Sequence, residues 1–140
     1  MGAWSNGPFD NDTARDWIAD WTATGDVSAV EEALRRATES EGSLGTREGE
    51  LAVAAAAVVA WCIGGGGVPD DVGAALTPYR TAFPTDVVAR AHRAVARVSS
   101  RGSELRDLWA DSGGFDRWTR SLGAIQAALR AASTSGARPR

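Results

Sequence analysis

The sequence predicts an all-α fold, a compact bundle or small stack of about six or seven short helices. Three observations carry that prediction. No segment alternates apolar and polar residues over the length of a strand. Apolar residues recur instead at three-and-four spacing, the signature of one helix face, in segment after segment. Alanine, the strongest helix former, supplies 27 of the 140 residues. A chain of this size buries roughly 68–70% of its unfolded surface and closes a core without metals or disulfides. A single helical domain is expected over residues 1–132, followed by a disordered tail over 133–140 that has no apolar periodicity.

The elements follow in order. Asp10, Asn11 and Asp12 supply capping side chains for a first helix over 13–23, where Ala14, Trp17, Ile18 and Trp21 share a face and Gly25 stops the chain. Ser28 and Glu31 fit a capping box that opens a second helix to about residue 39, with Val30, Ala33, Leu34 and Ala37 inward. Thr46 is the expected cap of a third helix to Ile63. From Leu51 onward it is apolar nearly all round, so it must be central and covered by others. Residues 64–67 are four glycines that end it. Pro69 starts a short helix to about Leu76, with Asp70 and Asp71 where the macrodipole favours anions. Thr77-Pro78 and Pro84 bracket a short irregular or helical stretch. Thr85 is the expected cap of a helix over 86–99, with Val87, Val88, Ala91, Ala94, Val95 and Val98 inward. Ser103 caps 104–111, and Gly113-Gly114 separates it from a last helix over 115–132.

Missing residue types exclude whole chemistries. All 15 basic residues are arginine. Without lysine there is no Walker A lysine, Schiff base or lysine general base. One cysteine, Cys62, and one histidine, His92, rule out multi-Cys/His zinc sites and internal disulfides. Cys62 lies in the most apolar stretch, where a thiol is normally an inert small hydrophobe. The glycine run at 64–67 follows no strand and precedes no Gly-Lys-Ser/Thr, so it reads as a helix stop rather than a phosphate loop. No cofactor is implied. No basic leader precedes an apolar stretch, and the most apolar segment is about half a bilayer span. A soluble cytoplasmic protein is expected, with no membrane partner.

Charge is uneven. Residues 1–50 hold eleven acids against four arginines, whereas residues 101–140 hold four acids against seven. Either the acidic helices face the arginine-bearing ones within the molecule, or an acidic face meets a basic protein partner. Arg90, Arg93 and Arg97 form a basic stripe, but a pI near 5.1 is a poor footprint for nucleic acid. Pairing of that stripe with the acidic half is the expectation. Asp12, Asp16 and Asp20 fall at i, i+4 and i+8, a carboxylate row to which Glu48 or Glu50 could add oxygens around a divalent ion.

The first dozen residues are the most unusual. Trp4 and Phe9, spaced by glycine and proline, precede the polar cluster of Asn11 and Asp12. Their aromatic rings read as anchors that pin the segment to the bundle, or as a binding lip with Asp16 and Trp17. Gly2-Ala3-Trp4, Gly7-Pro8-Phe9, Asn11-Asp12 and Asp16-Trp17 together resemble the opening of a bacterial family, domain of unknown function family 4259. The alanine-rich stretch 51–61 and the segment 103–109 with Phe115 and Trp118 are similar too, so the resemblance covers almost the whole chain. It implies a small helical protein without an assigned reaction, and it marks Trp4, Phe9, Asn11, Asp12, Asp16, Trp17 and Trp109. This chain carries only alanine over 54–57, where the family pattern tends to hold an acid.

Two functions compete. The first is a non-catalytic interaction module that uses the acidic N-terminal half, with a toxin-neutralising immunity protein as one form. The second is a small-ligand or divalent-metal binder or enzyme built on the carboxylates of helix one. Six tryptophans leave a homodimer open as well. Trp4 with Trp17, and Trp109 with Trp118, point to a contact between the first and last helices.

Overall fold

A computed structural model describes residues 9–63, 68, 70–79 and 83–137, with backbone only for 79 and 132–137. The described chain is all-α: α1 (Asp12–Thr24), α2 (Val27–Thr38), α3 (Thr46–Cys62), α4 (Asp70–Leu76), α5 (Thr85–Val98), α6 (Glu104–Ser112) and α7 (Phe115–Ala137), with one 3₁₀ turn at Thr77–Tyr79. Among the described residues no helix is long and apolar enough to cross a membrane.

The centre is α3. Its residues Ala52 to Ala60 are all buried, as an all-round apolar helix requires. Every other helix packs on it: α2 and α5 most extensively, α1 and α7 next, then α6 and α4. Small side chains make this crowding feasible, because the distance between helix axes is set by the residues at the contact. Gly49 shows the limit, since a Cβ there would lie 3.3 Å from the Cβ of Leu105 on α6. Around α3 the larger side chains fill the remaining volume: Leu34, Leu76, Leu129 and Phe9 are buried, as are Val30 on α2 and Val95 and Val98 on α5, two helices that also pack on each other.

Two loops are zipped together beside α3. The Leu44 amide donates to the Gly102 carbonyl at 2.7 Å, and the Glu104 amide donates to the Leu44 carbonyl at 2.8 Å, an isolated parallel bridge between the α2–α3 and α5–α6 connections. Both loops turn through glycines at positive φ, Gly42 at 77° and Gly102 at 88°, where a side chain would be strained. Arg97 Nη2 donates to the Gly42 carbonyl at 2.7 Å and holds the first loop against α5.

Several helix ends differ from the sequence reading. Asp26, not Ser28, caps α2, because the chain leaves Gly25 in the left-handed region and the carboxylate is placed at once to accept from the Ser28 amide. Thr46 and Thr85 are first helical residues; Gly45 and Pro84 occupy the cap positions without a side-chain hydrogen bond. The last helix does not stop near residue 132. It continues to Ala137, five residues past the expected end, since Ser133, Thr134 and Ser135 are only mildly unfavourable in a helix.

The expected contact between the first and last helices is not a principal packing pair. α1 packs on α3 and α4, while α7 packs on α3, α5 and α6, so both meet the central helix instead. Within those groups the aromatics do cluster: Trp17 and Trp21 stack at 6.3 Å, and Phe115 and Trp118 lie 6.1 Å apart.

Ala56 is fully buried in α3. Ala56→Leu is expected to lower stability by about 1–3 kcal/mol, read as a lower urea midpoint with an unchanged slope. Wild-type stability in that variant would contradict the close packing.

Candidate functional site

The marked positions of the N-terminal region build one corner of the molecule. Asn11 is the cap of α1, its Oδ1 accepting from the Ala14 amide at 2.7 Å. Phe9 is wholly buried and anchors the chain ahead of α1. Arg15, the sole basic residue of α1, then ties two elements together. Its Nε donates to the Phe9 carbonyl at 2.8 Å, and its Nη1 donates to Asp71 Oδ2 in the first turn of α4 at 2.6 Å. That hydrogen bond holds the exposed Asp71 carboxyl below its ordinary range.

The far end of α1 is fixed by its indoles. Trp17 is half-buried against the core and stacks on the buried Trp21. Trp21 Nε1 donates to the Asp26 carbonyl at 2.7 Å, and the Asp26 carboxylate accepts from both the hydroxyl and the amide of Ser28. The Ser28 hydroxyl, followed by its amide, lowers the Asp26 pKa.

The carboxylates do not converge. Asp12, Asp16 and Asp20 are all exposed along α1. Glu50, half-buried on α3, is the acid that meets this corner. Burial pushes its pKa up, the nearby Asp12 charge adds to that, and a hydrogen bond with Thr13 and the charge of Arg47 oppose it. Glu48 belongs to a different corner: its carboxylate and that of Glu104 both lie within 4.0 Å of where a Cβ on Gly45 would stand. Among the described residues no three His, Cys, Asp or Glu side chains are grouped to hold a metal ion. The expected divalent-ion arrangement is therefore not assembled, because the row on α1 runs out into solvent and only its first member comes near Glu50.

Of the sequence-marked residues, Trp4 lies outside the described residues. Phe9 and Asn11 are engaged in anchoring and capping, Trp17 in stacking, and Asp12 and Asp16 present carboxylates to solvent. Trp109 is half-buried against the core, and Trp118 is buried. The expected pairing of Arg97 with the acidic half is replaced by its bond to the Gly42 carbonyl. The described ion pairs join Arg15 to Asp71 and Arg35 and Arg36 to Glu32 and Glu39 within α2; none of them bridges the acidic helices to the arginines of α5–α7. Sequence reasoning missed Arg15 and Asp71. An arginine alone in an acidic helix was the available signal for the first, but its partner in α4 depends on tertiary placement. Gln126 was also missed; its Nε2 donates to the His92 carbonyl at 3.2 Å and joins α7 to α5.

Fold and site together define a small all-α domain with an anchored, acid-bearing N-terminal corner. The chain belongs to the family described as Domain of unknown function (DUF4259), which matches residues 2–121. No curated protein and no solved structure matches it.

Three outcomes are expected at this corner. The raised pKa of Glu50 means that the folded state binds its proton more tightly than the unfolded state. Its contribution therefore favours folding at low pH and is lost as pH rises from the ordinary glutamate value, about 4.3, through the raised one. Glu50→Gln should flatten that part of the stability–pH profile and be the more stable protein at neutral pH; an unchanged profile would contradict the assignment. Arg15→Ala should destabilise more than Asp71→Ala, since it also frees the Phe9 carbonyl, and equal losses in chemical denaturation would show that the backbone bond contributes nothing. Thermal melts with Mg²⁺, Mn²⁺ or Ca²⁺ should show no shift that vanishes in Asp16→Ala.

Proposed function

We propose that this chain is a non-catalytic interaction protein whose acidic N-terminal helices engage a basic protein partner. The observation that carries the reading is where the acids stand. Asp12, Asp16 and Asp20 on α1 are exposed and enter none of the described ion pairs. On α2, by contrast, Glu31 is exposed beside the Arg35 and Arg36 that pair with Glu32 and Glu39, so the excess of negative charge lies along α1. A surface of one sign raises the encounter rate with an oppositely charged partner and discriminates against wrong ones. The rigid mounting of α1 through Phe9, Arg15 and Trp21 supports the same reading, because preorganised charges cost less to bring into an interface. Neutralising a basic toxin is one form this function takes.

The test is capture from the native host, with the full chain as bait at low and high salt, beside a variant carrying Asp12→Asn, Asp16→Asn and Asp20→Asn. A basic protein should be retained by the wild type, lost as salt rises, and retained poorly by the variant. Capture of nothing above background, together with turnover of a small molecule by the isolated chain, would contradict the proposal.

A further inference from the structure

The hairpin of α6 and α7 carries two exposed faces of opposite charge. On α6, Glu104, Leu108 and Asp111 follow one another at i, i+4 and i+7 with Asp107 beside them, and all four are exposed. Leu108 keeps 52% of its surface in solvent, against 37% for Val27, the other exposed large hydrophobic residue described. The basic residue of this helix does not offset the acids, because the Arg106 guanidinium is laid over the Phe115 ring, 5.5 Å from its centroid. On α7, Arg117, Arg120, Ala124 and Ala127 follow at i, i+3, i+7 and i+10, flanked by Gly123 and Arg130, and these too are exposed. Asp116 is an exposed acid at the start of this otherwise basic face. The middle of the face is flat: a Cβ added at Gly123 would meet nothing within 4 Å. None of the described ion pairs uses the acids of α6 or the arginines of α7.

We propose that this hairpin is a self-association surface and that its occupant is a second copy of the same chain, α6 of each copy lying against α7 of the other. The complement that α6 needs, a row of arginines flanking a flat apolar strip, stands on the adjoining helix. A two-fold contact uses both faces twice and closes on itself. Leu108 is then covered by the Gly123–Ala127 strip, and Asp107 and Asp111 meet Arg117 and Arg120 of the second copy. The surface is separate from the acidic helices α1 and α2, so it stands or falls independently of the heterologous partner.

The experiment is sedimentation equilibrium of the full chain over a concentration series at low and high salt, with charge-swapped variants. The wild type should approach dimer mass at low salt and dissociate as salt screens the pairs. Leu108→Ser should raise the dissociation constant about a hundredfold, since the two-fold dimer covers this leucine twice and each copy contributes roughly half a buried leucine. Asp107→Arg/Asp111→Arg and Arg117→Glu/Arg120→Glu should each be monomeric alone and regain dimer mass when mixed in equal amounts. Circular dichroism checks the fold of each variant, and if a swapped chain unfolds, the wild-type salt series and Leu108→Ser decide the matter. Monomer mass throughout, open polymers, or a dimer indifferent to salt and to these substitutions would overturn the proposal.

Discussion

The close packing of alanines along α3 is the constraint on which the rest of the structure depends. A central helix bearing large side chains would push its neighbours outward. With alanine at 54–57, each fully or almost fully buried, α2, α5, α1 and α7 reach the same axis and share one core. Little is gained per alanine, since each buries only a methyl group. The return comes from the outer helices, whose leucines, valines and aromatics close over α3 and over one another. It also explains why the chain lacks an acid in this stretch without any cost to its fold: a buried carboxylate there would have needed a partner.

The N-terminal corner is a consequence of that arrangement. Once α1 lies on α3, Phe9 enters the core, Asn11 closes the first turn, and Arg15 reaches both the Phe9 carbonyl and Asp71. One arginine thus couples the chain before α1 to α4. The remaining acids of α1 have no role in that anchoring and stand outward, where they define the surface character of the N-terminal half. The buried and exposed parts of the same motif therefore separate cleanly: Phe9 and Asn11 belong to the fold, Asp12 and Asp16 to the surface.

Much of the fold was legible in the sequence because its signals are local. The all-round apolarity of 51–63 is visible without any partner, and the caps Asn11 and Ser103 announce themselves by residue type ahead of periodic segments. Where two local signals compete, residue type alone points to the wrong one: Ser28 and Glu31 spell a capping box, but Asp26 directly after the left-handed Gly25 caps the helix earlier. The parallel bridge between Leu44 and Ser103, the Arg97 bond to Gly42 and the Arg15–Asp71 pair were not legible, since each joins residues more than fifty positions apart. The carboxylate row of α1 was legible as a row. Its failure to gather with Glu48 was not, because Glu48 turns toward Glu104 at the zipped loops and Glu50 alone faces α1.

Native-state hydrogen exchange tests the central role of α3 most directly. If the alanine-packed helix holds the other helices in register, its amides from Ala54 to Val59 should exchange only through global unfolding, while α4 and the last turns of α7 exchange through local opening. Protection in α3 equal to the global unfolding free energy, and higher than in α6, is the expected result. Exchange of α3 through a low-energy local opening, with α5 and α7 still protected, would contradict the account.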